Sequence, residues 1–156
     1  MNSIFIKLIL VFLVLPVSVV PQNWEWKHPK AGSNNFYAVA AATENIWIVG
    51  GEMGTLFRTT DYGETWTQIF NSVGNASINL MTFANSNIGF AVSQSDFDNT
   101  SAKVLKTTNA GLSWTEVATF DNFTGDRIQF FDALNGYINT SYLMKRTTDG
   151  GLTWYD

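Results

Sequence analysis

Three arginines, Arg58, Arg127 and Arg146, are the side chains best shaped to clamp a carboxylate, because a guanidinium presents two parallel donors to its two oxygens. Glu52, Asp96, Asp98, Asp121 and Asp126 supply carboxylates that, paired on facing loops, would serve as acid and nucleophile or base in glycoside hydrolysis. Taken singly, each is also an ordinary solvated loop acid. Asp96-Phe97-Asp98-Asn99 clusters oxygens of the kind a hard cation takes. It lacks the glycine and the downstream glutamate of a formal calcium loop, so it reads as a solvated hairpin tip. His28, the only histidine, stands beside Pro29 and cannot build a zinc site alone. Trp47, Tyr37, Phe97, Tyr137 and Tyr142 could stack on sugars or peptide side chains, or pack between sheets.

The elements that must carry these residues are constrained by composition. The 156 residues include no cysteine, 12 glycines and 23 aromatics (12 Phe, 6 Trp, 5 Tyr), and charged residues are 14%. Low charge and high aromatic content argue against a disordered chain, a coiled coil or a helical bundle. A net charge of −4 with nine Lys+Arg argues against binding nucleic acid by phosphate neutralisation. Without cysteine there is no disulfide scaffold, thiolate zinc site or cysteine nucleophile, and no cofactor is expected.

Residues 1–20, MNSIFIKLILVFLVLPVSVV, place Lys7 ahead of an apolar run from Leu8 to Val20 broken only by Pro16 and Ser18. A short basic start followed by such a run is a secretory signal peptide; a membrane anchor needs roughly 20 apolar residues. The expectation is a cleaved leader with Ser18 the best candidate for the residue before the cut. An exported protein follows, secreted, periplasmic or at the cell surface, with no stable membrane span after cleavage.

Repeats dominate residues 21–156. Arg58-Thr-Thr-Asp-Tyr-Gly-Glu-Thr-Trp66, Lys106-Thr-Thr-Asn-Ala-Gly-Leu-Ser-Trp114 and Arg146-Thr-Thr-Asp-Gly-Gly-Leu-Thr-Trp154 align without gaps as [RK]-T-T-[DN]-x-G-x-[ST]-W. The tryptophans lie 48 and 40 residues apart, near the period of a four-stranded propeller blade. Asp61, Asn109 and Asp149 can fold a side-chain oxygen onto backbone N–H groups further along. Gly63, Gly111 and Gly151 suit the positive φ of a tight turn. Thr65, Ser113 and Thr153 can add a hydroxyl bond across it. Trp66, Trp114 and Trp154 begin the next strand and can bury a ring between adjacent sheets. Every part serves the turn or the packing, so the motif needs no ligand to explain it.

The flanks predict four strands per unit: 36–43, 46–51, 55–60 and 65–70; then 78–84, 88–93, 103–108 and 113–120; then 127–131, 136–139, 142–148 and a start at 152–155. Short strands with turn signals between them indicate an all-β protein. Trp24-Glu25-Trp26 resembles the strand after each motif and lies in register with the repeat, as an N-terminal strand closing a propeller would. Closure typically takes about four to eight blades. About three antiparallel blades are therefore expected, an incomplete propeller that reads as a fragment of a longer protein. Its open edges call for further C-terminal blades, with self-association as the alternative.

The motif [ST]-x-[DN]-x-G-x-[ST]-W resembles the Asp-box, or BNR repeat, of sialidases, sortilin-type receptors and xyloglucanases. The longer pattern, with Ile48-Val49-Gly50-Gly51-Glu52-Met53-Gly54-Thr55-Leu56-Phe57-Arg58 before the first box and Trp24-Glu25-Trp26 near the start, is most similar to the photosystem II assembly and stability factor propellers and their secreted bacterial relatives. The resemblance spans about residues 23–156 and implies fold more than activity, since in these families the box sits at a peripheral turn. Departures are Asn109 in place of Asp, Lys145 where Phe57 and Leu105 stand, and the extension at 94–102. A sialidase would need an arginine triad, yet Arg58 and Arg146 share the repeat position of Lys106, which points to a structural or surface role. The photosystem-assembly role implies an arginine-lined patch for its partner, and this chain has only three arginines. The sequons at Asn75, Asn99, Asn122 and Asn139 matter only in a eukaryotic secretory route, whereas the resemblance points to bacteria. The expectation is an exported, non-catalytic module that binds or scaffolds protein or glycan through its blade-inner and top loops, such as 93–102. The alternatives are the N-terminal part of a propeller glycoside hydrolase and an assembly-factor-like chaperone module.

Overall fold

The computed structural model describes residues 34–69, 76–95, 101–140 and 142–156. The expected leader, the Trp24 and Trp26 closing strand, His28, Asn75 and the Asp96–Asn99 cluster with Phe97 lie outside the described residues. Among those described, no helix is long and apolar enough to cross a membrane.

Eleven strands run in chain order: β1 Phe36–Ala41, β2 Trp47–Gly51, β3 Leu56–Thr59, β4 Thr67–Ile69, β5 Ser77–Phe83, β6 Gly89–Gln94, β7 Ser101–Thr107, β8 Thr115–Asp121, β9 Arg127–Phe130, β10 Gly136–Asn139 and β11 Met144–Thr147. They form three antiparallel meanders, β1-β2-β3-β4, β5-β6-β7-β8 and β9-β10-β11. A bridge from Tyr155 to Arg146 starts a fourth strand in the third sheet. It matches the pairs Thr67–Arg58 and Thr115–Lys106 that open β4 and β8. The all-β architecture agrees with the sequence reading. The expected strands at 65–70 and 113–120 begin two residues later, at Thr67 and Thr115, and the third unit's expected strand 142–148 is shorter at both ends. The Met53-Gly54 turn is a short 3-10 segment over Glu52–Gly54, with Met53 left-handed at φ 54°.

The sheets stack face to face with their first strands gathered, β1 against β5 and β5 against β9. Ile48, Leu56 and Ile69 of the first sheet meet Ile78, Ala91, Leu105 and Trp114 of the second. Phe90, Val92 and Val104 of the second meet Ile128, Phe130 and Ile138 of the third, with the Phe90 and Phe130 rings stacked 3.4 Å apart. Alternate residues of the central strands thus face opposite neighbours, so both sides of the middle sheet are apolar.

Meander geometry sorts the connections to two ends. The turns between first and second strands and the box turns share one end: the N–H groups of Tyr62, Ala110 and Gly150 donate to the carbonyls of Asn45, Asn87 and Leu134. The second and fourth strands end, and the third strands begin, at the opposite end.

Candidate functional site

At the box end each turn is built around one buried hydroxyl. Thr59, Thr107 and Thr147 are at most 2% exposed. Each Oγ1 accepts from the N–H of Gly63, Gly111 or Gly151 at 3.0 Å and donates to the side chain of Asp61, Asn109 or Asp149. Asp61 Oδ1 accepts from the Thr65 N–H at 2.8 Å, and its Oδ2 from the Thr65 hydroxyl at 2.6 Å. Asp149 and Thr153 repeat both contacts. The middle unit reverses the polarity of the last one: Asn109 Nδ2 donates to Ser113 Oγ at 2.9 Å. The Thr65 and Thr153 donors hold the Asp61 and Asp149 carboxyls down at about 2.

The box glycines are left-handed as expected, Gly63 at φ 88°, Gly111 at 78° and Gly151 at 89°. The preceding residue is left-handed too, even where it is Tyr62 or Ala110. The tryptophans stand just ahead of the fourth strand, and their indole N–H groups donate to the box glycine carbonyls. Trp114 is buried between the first and second sheets, and Trp154 packs edge-on to Phe120 and Phe130. Trp66, with no described sheet ahead of it, is half-buried.

The basic residue of each box couples one sheet to the next. Arg58 Nε donates to the Ala110 carbonyl at 2.8 Å, and Lys106 Nζ to the Gly150 carbonyl at 3.2 Å. Both acceptors occupy the same box position, and Lys106 also lies over the Phe90 ring. Arg58 is therefore spent on the stack, and Arg127 and Arg146 lie two ladder rows apart on β9 and β11 of the third sheet, Arg127 but not Arg146 lining the groove there. The shared repeat position points to such a structural role; the residue types alone mark neither the threonine hydroxyl nor the cross-sheet acceptors.

At the loop end, Glu52 is engaged on both oxygens. Oε1 accepts from the Tyr37 hydroxyl at 2.7 Å and from Asn35 Nδ2 at 2.6 Å, and Oε2 from the Asn35 N–H at 3.1 Å. These donors, Tyr37 first, lower its pKa. It is an ionised brace and a poor proton donor. Asp121 and Asp126 flank the passage from β8 to β9.

The β10–β11 loop is different. Thr140 Oγ1 accepts from the N–H groups of Tyr142 and Leu143 at 3.2 and 2.9 Å, and the Thr140 N–H donates to the Leu143 carbonyl. This closed turn holds Tyr142 out at 94% exposure. Beside it runs a groove of about 200 Å³ lined by Asn122, Thr124, Asp126, Thr140 and Leu143. A larger one of about 530 Å³ lies on the other side, with Arg127, Tyr137, Asn139 and Met144. Tyr37 and Trp47 are tied down, Trp47 by its indole N–H to the Glu44 carbonyl; Tyr137 packs against Phe131.

No protein-family model matches the sequence, and no curated protein matches it. Solved structures do. YCF48 bound to D1 peptide superposes with a TM-score of 0.65 at 21% identity, over 78% of this chain and 40% of that one. YCF48 from Cyanidioschyzon merolae gives 0.66 at 16% identity, over 78% and 39%. The fold is that of a β-propeller. An ancestral GH74 enzyme gives 0.63 at 22% identity, over 76% of this chain and 18% of that one. The chain thus spans about two fifths of the YCF48 proteins and under a fifth of the GH74 enzyme. Its three stacked sheets are an arc of a propeller.

Proposed function

We propose that this propeller arc is a non-catalytic binding module that takes an extended polypeptide at its loop end, with Tyr142 as the anchor. The supporting observation is the preorganised turn at Thr140. Two hydrogen bonds to Thr140 Oγ1 fix the main chain at Tyr142, so only the ring's two side-chain torsions are left to order on binding, and such rings dominate interface energetics. The adjoining groove is lined by the Asn122 amide and the Thr124 hydroxyl, groups suited to a peptide backbone. At the box end the Thr59, Thr107 and Thr147 hydroxyls, the Asp61, Asn109 and Asp149 side chains, Arg58 and Lys106 already serve the turns and the stack. A structural neighbour, YCF48, has been seen with a peptide bound, which favours polypeptide over glycan.

The GH74 likeness raises the hydrolase alternative. Glu52, with both oxygens occupied, and Arg58, on the Ala110 carbonyl, are unsuited to it. We further propose that the module is exported behind a cleaved residue 1–20 leader.

The test is selection of short linear peptides on the full chain, with an oligosaccharide array in parallel. A selected peptide should bind Tyr142→Ala about 10- to 30-fold more weakly than the wild type. Selection of oligosaccharides alone, or a peptide indifferent to Tyr142→Ala, would overturn the reading, as would release of reducing ends from a β-glucan.

A further inference from the structure

The repeat makes each sheet's neighbours comparable position by position. Ile48 and Leu56 of the first sheet are buried under the second, and Phe90 and Val104, their counterparts, are buried under the third. In the third sheet those positions are Tyr137 and Met144, joined by Phe131 in the place of Ala42 and Ala84. Phe131 is 72% and Met144 59% exposed. The 530 Å³ groove beside Tyr137 and Met144 lies where the first two sheets each receive a neighbour. On the opposite flank of the arc, Val39, Phe57 and Trp66 hold the places of Met81, Leu105 and Trp114. Val39 is 69% exposed, and Phe36, beside Phe57, 37%. The polar clamp is open at the same two flanks. Arg146, the counterpart of Arg58 and Lys106, has no side-chain hydrogen bond among the described residues. No described residue donates to the carbonyl of Tyr62, the counterpart of Ala110 and Gly150.

We infer that the outer face of the third sheet docks the outer face of the first sheet in a second copy of this chain, head to tail, with Arg146 donating to the partner's Tyr62 carbonyl. The chain carries both halves of an interface that it already forms twice internally, with the apolar contact and the charged donor in one register. A heterologous contact of this kind either closes into a ring or extends, and two three-sheet arcs together fall within the blade number of closed propellers. Thr140, Tyr142 and Leu143 also line the groove beside Tyr137 and Met144, so the docked copy borders the proposed peptide anchor. Val39→Glu, on the opposite flank, separates the two readings, because it should abolish association and leave peptide binding intact.

Sedimentation equilibrium of the full chain tests it. The wild type should associate reversibly. Phe131→Glu with Arg146→Glu, and separately Val39→Glu, should each raise the dissociation constant by about a hundredfold, because each would bury a charge in an apolar contact. All three sites are exposed in the single chain, so circular dichroism should be unchanged. Mixing the two variants pairs one intact third-sheet face with one intact first-sheet face and should restore a dimer that neither forms alone. A wild type that stays monomeric over the concentration range would overturn the inference, including the case in which residues 1–33 cover either face. Loss of association in the Phe131/Arg146 variant but not in Val39→Glu would also overturn it, indicating a face-to-face contact.

Discussion

Replacing Thr107 by valine tests the box most sharply, because valine keeps the side-chain volume and removes only the hydroxyl. That hydroxyl accepts from the Gly111 N–H at 3.0 Å and the Asn109 N–H at 3.3 Å, and donates to Asn109 Oδ1 at 2.9 Å. The Gly111 contact is buried, so its N–H would lose its acceptor with no water to replace it. An orphaned buried donor costs about 1–3 kcal/mol, and the two weaker, partly solvated contacts add less. The expected loss for Thr107→Val is about 2–3 kcal/mol. With a urea slope of ~1–3 kcal/mol per molar, the unfolding midpoint should fall by about 1 M with the slope unchanged. Thr108→Val is the matched control: the next residue is exposed and should stay within about 0.5 kcal/mol of the wild type. Equal effects of the two substitutions, or a neutral Thr107→Val, would refute the hydroxyl-centred turn.

Gly111→Ala should cost about 3 kcal/mol in the same urea assay, since φ is 78° and a Cβ would stand 2.5 Å from Ile48 Cγ1 of the neighbouring sheet. The lowered carboxyls of Asp61 and Asp149 set an acid limit. A depressed native pKa stabilises above the ordinary value near 3.9 and is lost as pH falls towards about 2. Hydrogen exchange should therefore show the first and third boxes loosening between those values while the Asn109 box changes less; simultaneous loosening of all three would contradict this.

The parts of the box that act within a few residues were legible in sequence. The Asx oxygen, the left-handed glycine and the crossing hydroxyl each follow from residue type, whereas the tryptophans, expected to begin the next strand, stand just ahead of it. The Arg58 and Lys106 contacts were not legible, because their acceptors are backbone carbonyls 52 and 44 residues away, and a carbonyl leaves no residue-type signature. Thr59, Thr107 and Thr147 are not legible because the Thr-Thr pair reads as ordinary strand, and only burial separates the first threonine from the exposed second. Lys145 marked the one break in the apolar pattern, and its ammonium pairs with the Asp156 carboxylate. At the loop end Tyr142 was one of five candidate aromatics. Its distinction, the Thr140 turn beneath it, depends on backbone geometry that the residue types leave open.

The most direct measurement of the functional claim is hydrogen exchange of the full chain with and without a saturating selected peptide. Binding at the loop end predicts added protection in residues 122–126 and 140–144, with the box turns at 61–65, 109–113 and 149–153 unchanged. Protection confined to the box turns, or none at residues 140–144, would contradict it.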